Sequence, residues 1–193
     1  MAKLVASHIL NIPVSEIAVA LESTGKPFLR CVSEDNIHLP FISIAHAGET
    51  IVFAINEHTP IGVDVELLRT DVDIDDLMQL AFDAIEIQAV NDFDAHCRLR
   101  KFYEFWTLKE AFLKATGEGL LTEPNTIVFH IDAKSHARLI KASDEKAKSL
   151  WNFYFVQFDE SYVIAMAAKN YKIDWCEGPK LIDAARLIQA HCR

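Results

Sequence analysis

The sequence predicts an α+β fold in two lobes, on three observations. Strand-like runs fall into two groups, one before residue 70 and one after residue 125, with helix-like segments between them. The character of the chain changes sharply at Asp71, where apolar alternation gives way to early acids followed by apolar residues at helical spacing. A chain of 193 residues can also bury one sizeable core or two small lobes sharing one. The boundary falls near His58 to Pro60, giving lobes of residues 1–59 and 60–193.

The elements follow in chain order. Residues 3–11 read as a short helix cut by Pro13, and "SEIAVALES" alternates as a strand. "TGKP" (Thr24 to Pro27) is a turn, because glycine permits positive φ and proline fixes its own. "LPFISIA" and "TIVFAIN", joined by "HAGE", form a hairpin with Gly48 in the turn, and "TPIGVDVELL" is the next strand. "DVDIDDLMQLAFDAIEIQAVNDF" holds one or two helices. The main helix is "RLRKFYEFWTLKEAFLKATGEGL", stopped at Gly117 and Gly119. "NTIVFHI", "WNFYFVQF" and "YVIAMAA" are strands, and "KLIDAARLIQAHC" is an amphipathic C-terminal helix.

Composition excludes several function classes. Lys plus Arg total 19 against 28 Asp plus Glu, a formal charge of −9, which argues against nonspecific binding to nucleic acid or anionic membranes. No segment approaches the roughly 20 apolar residues of a membrane span. The N-terminal apolar stretch is interrupted too early, by His8, Asn11 and Pro13, for a signal peptide. The four cysteines form no Cys-x-x-Cys pair and the histidines no metal-binding spacing, so the expectation is a cytoplasmic protein with reduced thiols.

Two segments carry candidate chemistry. On a strand "GVDVE", Gly62, Asp64 and Glu66 share one face and Ile61, Val63 and Val65 the other. The acids either meet water or, as neighbouring like charges, have something positive beside them. On the helical wheel of the main helix, Phe102, Phe105, Trp106, Leu108, Phe112 and Leu113 share a broad apolar arc, with Thr107, Glu110 and Lys114 at its margin and beyond. The aromatics read as core. Glu110 and Lys114, four apart with the acid first, also have the spacing of an ordinary helix ion pair worth about 0.2–0.5 kcal/mol. Lys109 projects from the middle of the apolar arc. Either its stem snorkels to water, or a buried acidic or phosphate partner satisfies it.

Taken together, these residues resemble the 4'-phosphopantetheinyl transferases of the longer, surfactin-synthetase-activating type. That family shares Gly-x-Asp-x-Glu, here "GVDVE" (Gly62 to Glu66), followed by Trp-[Ser/Thr/Cys]-x-Lys-Glu-[Ala/Ser]-x-x-Lys, here "WTLKEAFLK" (Trp106 to Lys114). Upstream, "GKPFL" (Gly25 to Leu29) is similar to its Gly-[Lys/Arg]-Pro motif and "ISIAHAG" (Ile42 to Gly48) to its Ser-His-[Ser/Ala]-Gly motif. Each motif alone is weak, but four in the family's order across residues 25–119 are specific.

The resemblance implies a pseudo-dimer of two lobes within one chain, active as a monomer. It implies Mg²⁺ held by Asp64, Glu66 and Glu110, and coenzyme A as donor of a phosphopantetheine arm to a serine of an apo acyl or peptidyl carrier protein. Lys114 would bind the pyrophosphate, and Glu110 would be either the base or a metal ligand positioning a basic water. His46 would contact a coenzyme A phosphate, although a turn histidine on the surface is the bland alternative. Lys26, with Pro27 beside it, would meet the nucleotide end, and Lys109 would point into the same charged cleft. Two departures stand out. Ala45 occupies the usual serine position, removing a phosphate-facing hydroxyl. Only 24 residues precede Gly25, so the first lobe is expected to be shortened, with Lys3 standing in for a missing basic residue. These departures motivate a competing class, a relative that binds carrier protein or coenzyme A without transfer. A Mg²⁺-dependent phosphohydrolase ranks behind both, since it leaves "GKPFL" and "WTLKE" unexplained.

Overall fold

The computed structural model describes residues 2–33, 39–119, 122–144 and 147–169. It is an α+β fold with antiparallel sheets. Helix α1 (Ala2–Leu10) lies on a hairpin of β1 (Ile17–Leu21) and β2 (Pro27–Cys31) and closes a small core of Ala6, Ile17, Leu29 and Ile42. A second hairpin pairs β3 (Phe41–Ala47) with β4 (Thr50–Asn56) in full register. Its turn uses Gly48 at φ +54°, a left-handed conformation that favours glycine.

Strand β5 (Ile61–Leu67) is the seam of the molecule. Ile61, Val63 and Val65 meet Ala45 and Ala54 of the hairpin, so this cluster draws on both sides of the 59/60 boundary. The buried Ser43 hydroxyl accepts the Val63 N–H at 3.0 Å, satisfying a backbone donor where β3 meets β5. The opposite face of β5 packs on the main helix, so the strand is buried on both sides.

Three helices follow, each opened by an aspartate. Asp73 caps α2 (Ile74–Ala81), and Asp83 caps α3 (Ala84–Asn91) in a reciprocal box with Glu86. Asp94 caps α4 (Ala95–Thr116), the main helix, which therefore begins three residues before the predicted Arg98. It ends at Gly117, whose φ of +76° supplies the left-handed cap. Beyond it come β6 (Val128–Ile131), β7 (Ala137–Lys141), the single turn α5 (Ala147–Leu150), β8 (Trp151–Phe158) and β9 (Tyr162–Lys169). The sheet order β5-β9-β8 brings β9 beside β5, with Asp64 opposite Ala165 and Glu66 opposite Val163.

The largest core lies around α4, where Phe102, Phe105, Leu108, Phe112 and Phe129 are almost completely enclosed. The strands β2 and β7 and the turn α5 were not predicted. The predicted C-terminal helix over 180–192 lies outside the described residues. No helix among the described residues is long and apolar enough to cross a membrane.

Candidate active site

The site begins with a glycine. Strand β5 and helix α4 approach so closely at Gly62 that a Cβ there would stand 2.0 Å from the Ala111 carbonyl oxygen and 2.4 Å from the Ala115 nitrogen. Only a residue without a side chain admits that approach. Two and four residues along the same strand face, Asp64 and Glu66 are thereby held against α4, which carries Trp106, Glu110 and Lys114.

The acids point inward. Asp64 is 4% exposed, so the alternative of an acidic face open to water does not hold for it. Its Oδ1 accepts a hydrogen bond from Lys114 Nζ, while Oδ2 is buried with no hydrogen-bond partner. Burial pushes the Asp64 carboxyl up, and the Lys114 ammonium opposes that rise. Glu66 accepts from the Trp106 indole N–H at 3.1 Å. Burial, then the Asp64 charge, push Glu66 up to about 7, the Trp106 hydrogen bond pulling the other way. Glu110 is raised by burial and by Asp64. Three acids therefore stand near one another and near Lys114, which takes Asp64 as its partner.

This donor set fits Mg²⁺ in kind. Its oxygens are hard carboxylate oxygens, one of them, on Asp64, buried and unpartnered; burial raises all three acids, and the Asp64 charge adds to the rise at Glu66 and Glu110. Among the described residues, no three acidic, histidine or cysteine side chains converge closely enough to hold a metal ion by themselves. Mg²⁺ does not require three, since it usually takes one or two carboxylates and completes its shell with water and phosphate oxygens.

The profile described as the 4'-phosphopantetheinyl transferase superfamily matches residues 60–167, from the start of β5 nearly to the end of β9. The chain belongs to that superfamily. It is 31% identical over 139 residues to the 4'-phosphopantetheinyl transferase gsp of Aneurinibacillus migulanus, an alignment covering 72% of this chain and 54% of that protein. It is 25% identical over 187 residues to the 4'-phosphopantetheinyl transferase psf-1 of Bacillus pumilus, covering 92% and 76%. The chain thus matches about half the length of the first relative and three quarters of the second. Among solved structures it is similar to a holo-(acyl-carrier-protein) synthase from Bacillus anthracis in complex with CoA (3',5'-ADP), with a TM-score of 0.50 and 18% identity over 57% of this chain and 94% of that one. The likeness shows the fold shared with this transferase superfamily.

The remaining motif residues are spread around the acids. His46 is exposed near the end of β3. The turn that follows it rests on β5 and β9: a Cβ at Gly48 would lie 3.0 Å from the Tyr162 hydroxyl and 3.7 Å from Leu67. That turn stands at the Leu67 end of the acid row. At the Gly62 end, Lys26 Nζ donates to the Ala115 carbonyl at 2.6 Å, and Pro27 is half-buried at the start of β2. The alternation of β3 turns Ala45 inward, 4% exposed among Ala54, Ile61 and Val63. The position therefore faces the apolar cluster between the hairpin and β5.

Lys109 requires a correction. It does not meet Asp64, Glu66 or Glu110 but is 2% exposed, with its ammonium shared among Glu86 Oε2 at 2.6 Å, the Pro124 carbonyl at 2.9 Å and the Ile127 carbonyl. Its donors are used internally, and the buried acidic partner weighed from the sequence is Glu86. Two residues that support the acid strand are not marked by the sequence: Ser43, which accepts the Val63 N–H, and Trp106, which donates to Glu66. Trp106 belongs to the apolar arc, yet its amphipathic ring also carries the donor that holds Glu66.

Proposed function

We propose that this chain transfers the 4'-phosphopantetheine arm of coenzyme A to a serine of an apo acyl or peptidyl carrier protein, releasing 3',5'-adenosine diphosphate, with Mg²⁺ as cofactor. The observation that carries the reading is the facing of Asp64 and Glu66 on β5 with Glu110 and Lys114 on α4, in a chain of this superfamily. We assign Asp64, Glu66 and Glu110 as the residues that would hold Mg²⁺, whose charge would offset that of the pyrophosphate oxygens. The serine oxygen bonds to the phosphorus that carries the pantetheine arm, and the bond from that phosphorus to the bridging oxygen breaks. Glu110, directly or through a water, accepts the serine proton; its raised affinity for protons suits it to the task. Lys114 is the cation assigned to the pyrophosphate oxygens and His46 to a coenzyme phosphate. Residues 1–59 act as the nucleotide-side lobe of a two-lobed monomer.

The test is intact-mass measurement of apo carrier proteins incubated with the protein, coenzyme A and Mg²⁺, with and without EDTA. The expected result is a gain of one phosphopantetheine that EDTA abolishes. Asp64→Ala and Glu110→Ala should each slow transfer by about 100-fold or more while keeping a cooperative thermal transition. Undiminished transfer in both variants would sink the assignment.

The stability of the fold depends on pH through Glu66. Glu66 binds its proton up to about pH 7 in the folded protein, against an ordinary value of 4.5, so the folded state holds a proton that the unfolded chain has already released. The stability this proton contributes is present below 4.5 and is lost as pH rises through 7. Mg²⁺ should therefore raise Tm more at pH 8 than at pH 6, because the cation replaces the missing proton. Equal Mg²⁺ shifts at both pH values would contradict the ligand assignment of Glu66.

A further inference from the structure

We infer that Trp106 is a positioning residue: its indole N–H holds one oxygen of Glu66 and leaves the other for the Mg²⁺ assigned to Asp64, Glu66 and Glu110. The inference rests on the transferase reading above for its kinetic consequence, while the contact is a property of the chain alone. Trp106 Nε1 on α4 donates to Glu66 Oε1 on β5 at 3.1 Å, across 40 positions of sequence. It is the one hydrogen bond that the Glu66 carboxylate accepts among the described residues.

The ring is fixed before it meets the acid. Trp106 is half-buried and packs on Phe102 with centroids 5.8 Å apart. Phe102 is itself enclosed, stacked on Phe82 at 5.3 Å and set against Tyr103 at 5.1 Å. An indole held in this way aims its N–H without the ordering of a long flexible side chain. Its nitrogen is a donor only and carries no charge. The two acids of β5 are therefore treated differently: Asp64 pairs with the Lys114 ammonium, whereas Glu66 meets a neutral donor that orients it without neutralising it. A second cation in that place would compete with a metal for the same carboxylate. Trp106 and Lys114 also stand four residues to either side of Glu110, along one side of α4. Glu66 meets one end of this row and Asp64 the other, so β5 is tied to the helix on both sides of the helix's own acid. Removing a group that orients a metal-binding side chain from behind costs about 10–100-fold in metal affinity or activity.

The experiment uses the full chain labelled with ¹⁵N-tryptophan, Mg²⁺ alone as the probe, and the variants Trp106→Phe and Glu66→Gln, singly and together. Trp106→Phe keeps an aromatic ring and removes the donor. On adding Mg²⁺ to the parent chain, the indole N–H resonance of Trp106, assigned by sequential connectivities, should shift. That of Trp151, which packs on Phe112, should stay in place, and Glu66→Gln should abolish the Trp106 shift. In transfer to a carrier protein, Trp106→Phe should raise the Mg²⁺ concentration for half-maximal rate about tenfold, with the KM for coenzyme A at saturating Mg²⁺ within about twofold. In the Glu66→Gln background the same replacement should change it by less than about twofold, because the residue it acts through is already altered. A Trp106 resonance that ignores Mg²⁺, or that still responds in Glu66→Gln, overturns the inference, as does an unchanged Mg²⁺ requirement in Trp106→Phe. An equal loss in both backgrounds also overturns it, since Trp106 would then act by packing and not through Glu66. If Trp106→Phe does not fold, the titration of the parent and of Glu66→Gln decides. If the parent chain modifies no carrier protein, the transferase reading fails, and the same titration still decides the role of Trp106.

Discussion

Gly62→Ala is expected to destabilise the fold by about 3 kcal/mol or more and to slow transfer by about 100-fold. The added methyl would meet the Ala111 carbonyl oxygen at 2.0 Å and the Ala115 nitrogen and Cα at 2.4 and 2.9 Å. All three are backbone atoms, so no side-chain rotation relieves the contact, and strand or helix must move. Movement at this point separates Asp64 from Lys114 and Glu66 from Trp106 together, which is why stability and activity should fall as one. Urea denaturation and the carrier-modification assay check the two parts. An unfolding midpoint within experimental error of the parent would show that strand and helix part at little cost.

The second large effect is expected at Lys109→Met. Glu86 is fully buried and accepts the Phe129 N–H at 2.9 Å, the Asp83 N–H at 3.0 Å and the Lys109 ammonium at 2.6 Å. Removing the ammonium leaves an uncompensated carboxylate, a change that costs about 3–5 kcal/mol at buried pairs. Glu86→Gln added to Lys109→Met removes the stranded charge but keeps an acceptor for Phe129, and should recover a substantial part of the loss. Chemical denaturation of the two variants measures both effects. A single-variant loss under about 1 kcal/mol would mean that the carboxylate finds water or a proton without difficulty.

The sequence made the acid strand and the main helix legible because each obeys a strong local rule. Alternation placed Gly62, Asp64 and Glu66 on one face, and Gly117 marked the helix end. Local rules could not show that both faces of β5 are covered, since that follows from the hairpin Phe41–Asn56 packing on one side and α4 on the other. The same limit explains Lys109. Its position in the apolar arc signalled a buried partner, but Glu86 lies 23 positions earlier on another helix, and only packing selects it over a phosphate. Strand β2 was masked by its turn: Gly25 and Pro27 are strong turn signals, yet Pro27 is already the first strand residue. Strand β7 was missed because "ARLIK" is short and carries two basic residues.

The pairing of β5 with β9 also sets an order of events on the ribosome. Ile61 lies opposite Ala168, about 100 residues later in the chain. Helices α2, α3 and α4 start from caps within their own sequence and can form as the chain emerges. The strand bearing Asp64 and Glu66 must wait for β9 before it has its hydrogen-bonded neighbour. Asp64 and Glu66, encoded in the first half of the described chain, are therefore among the last groups to be set in place during synthesis.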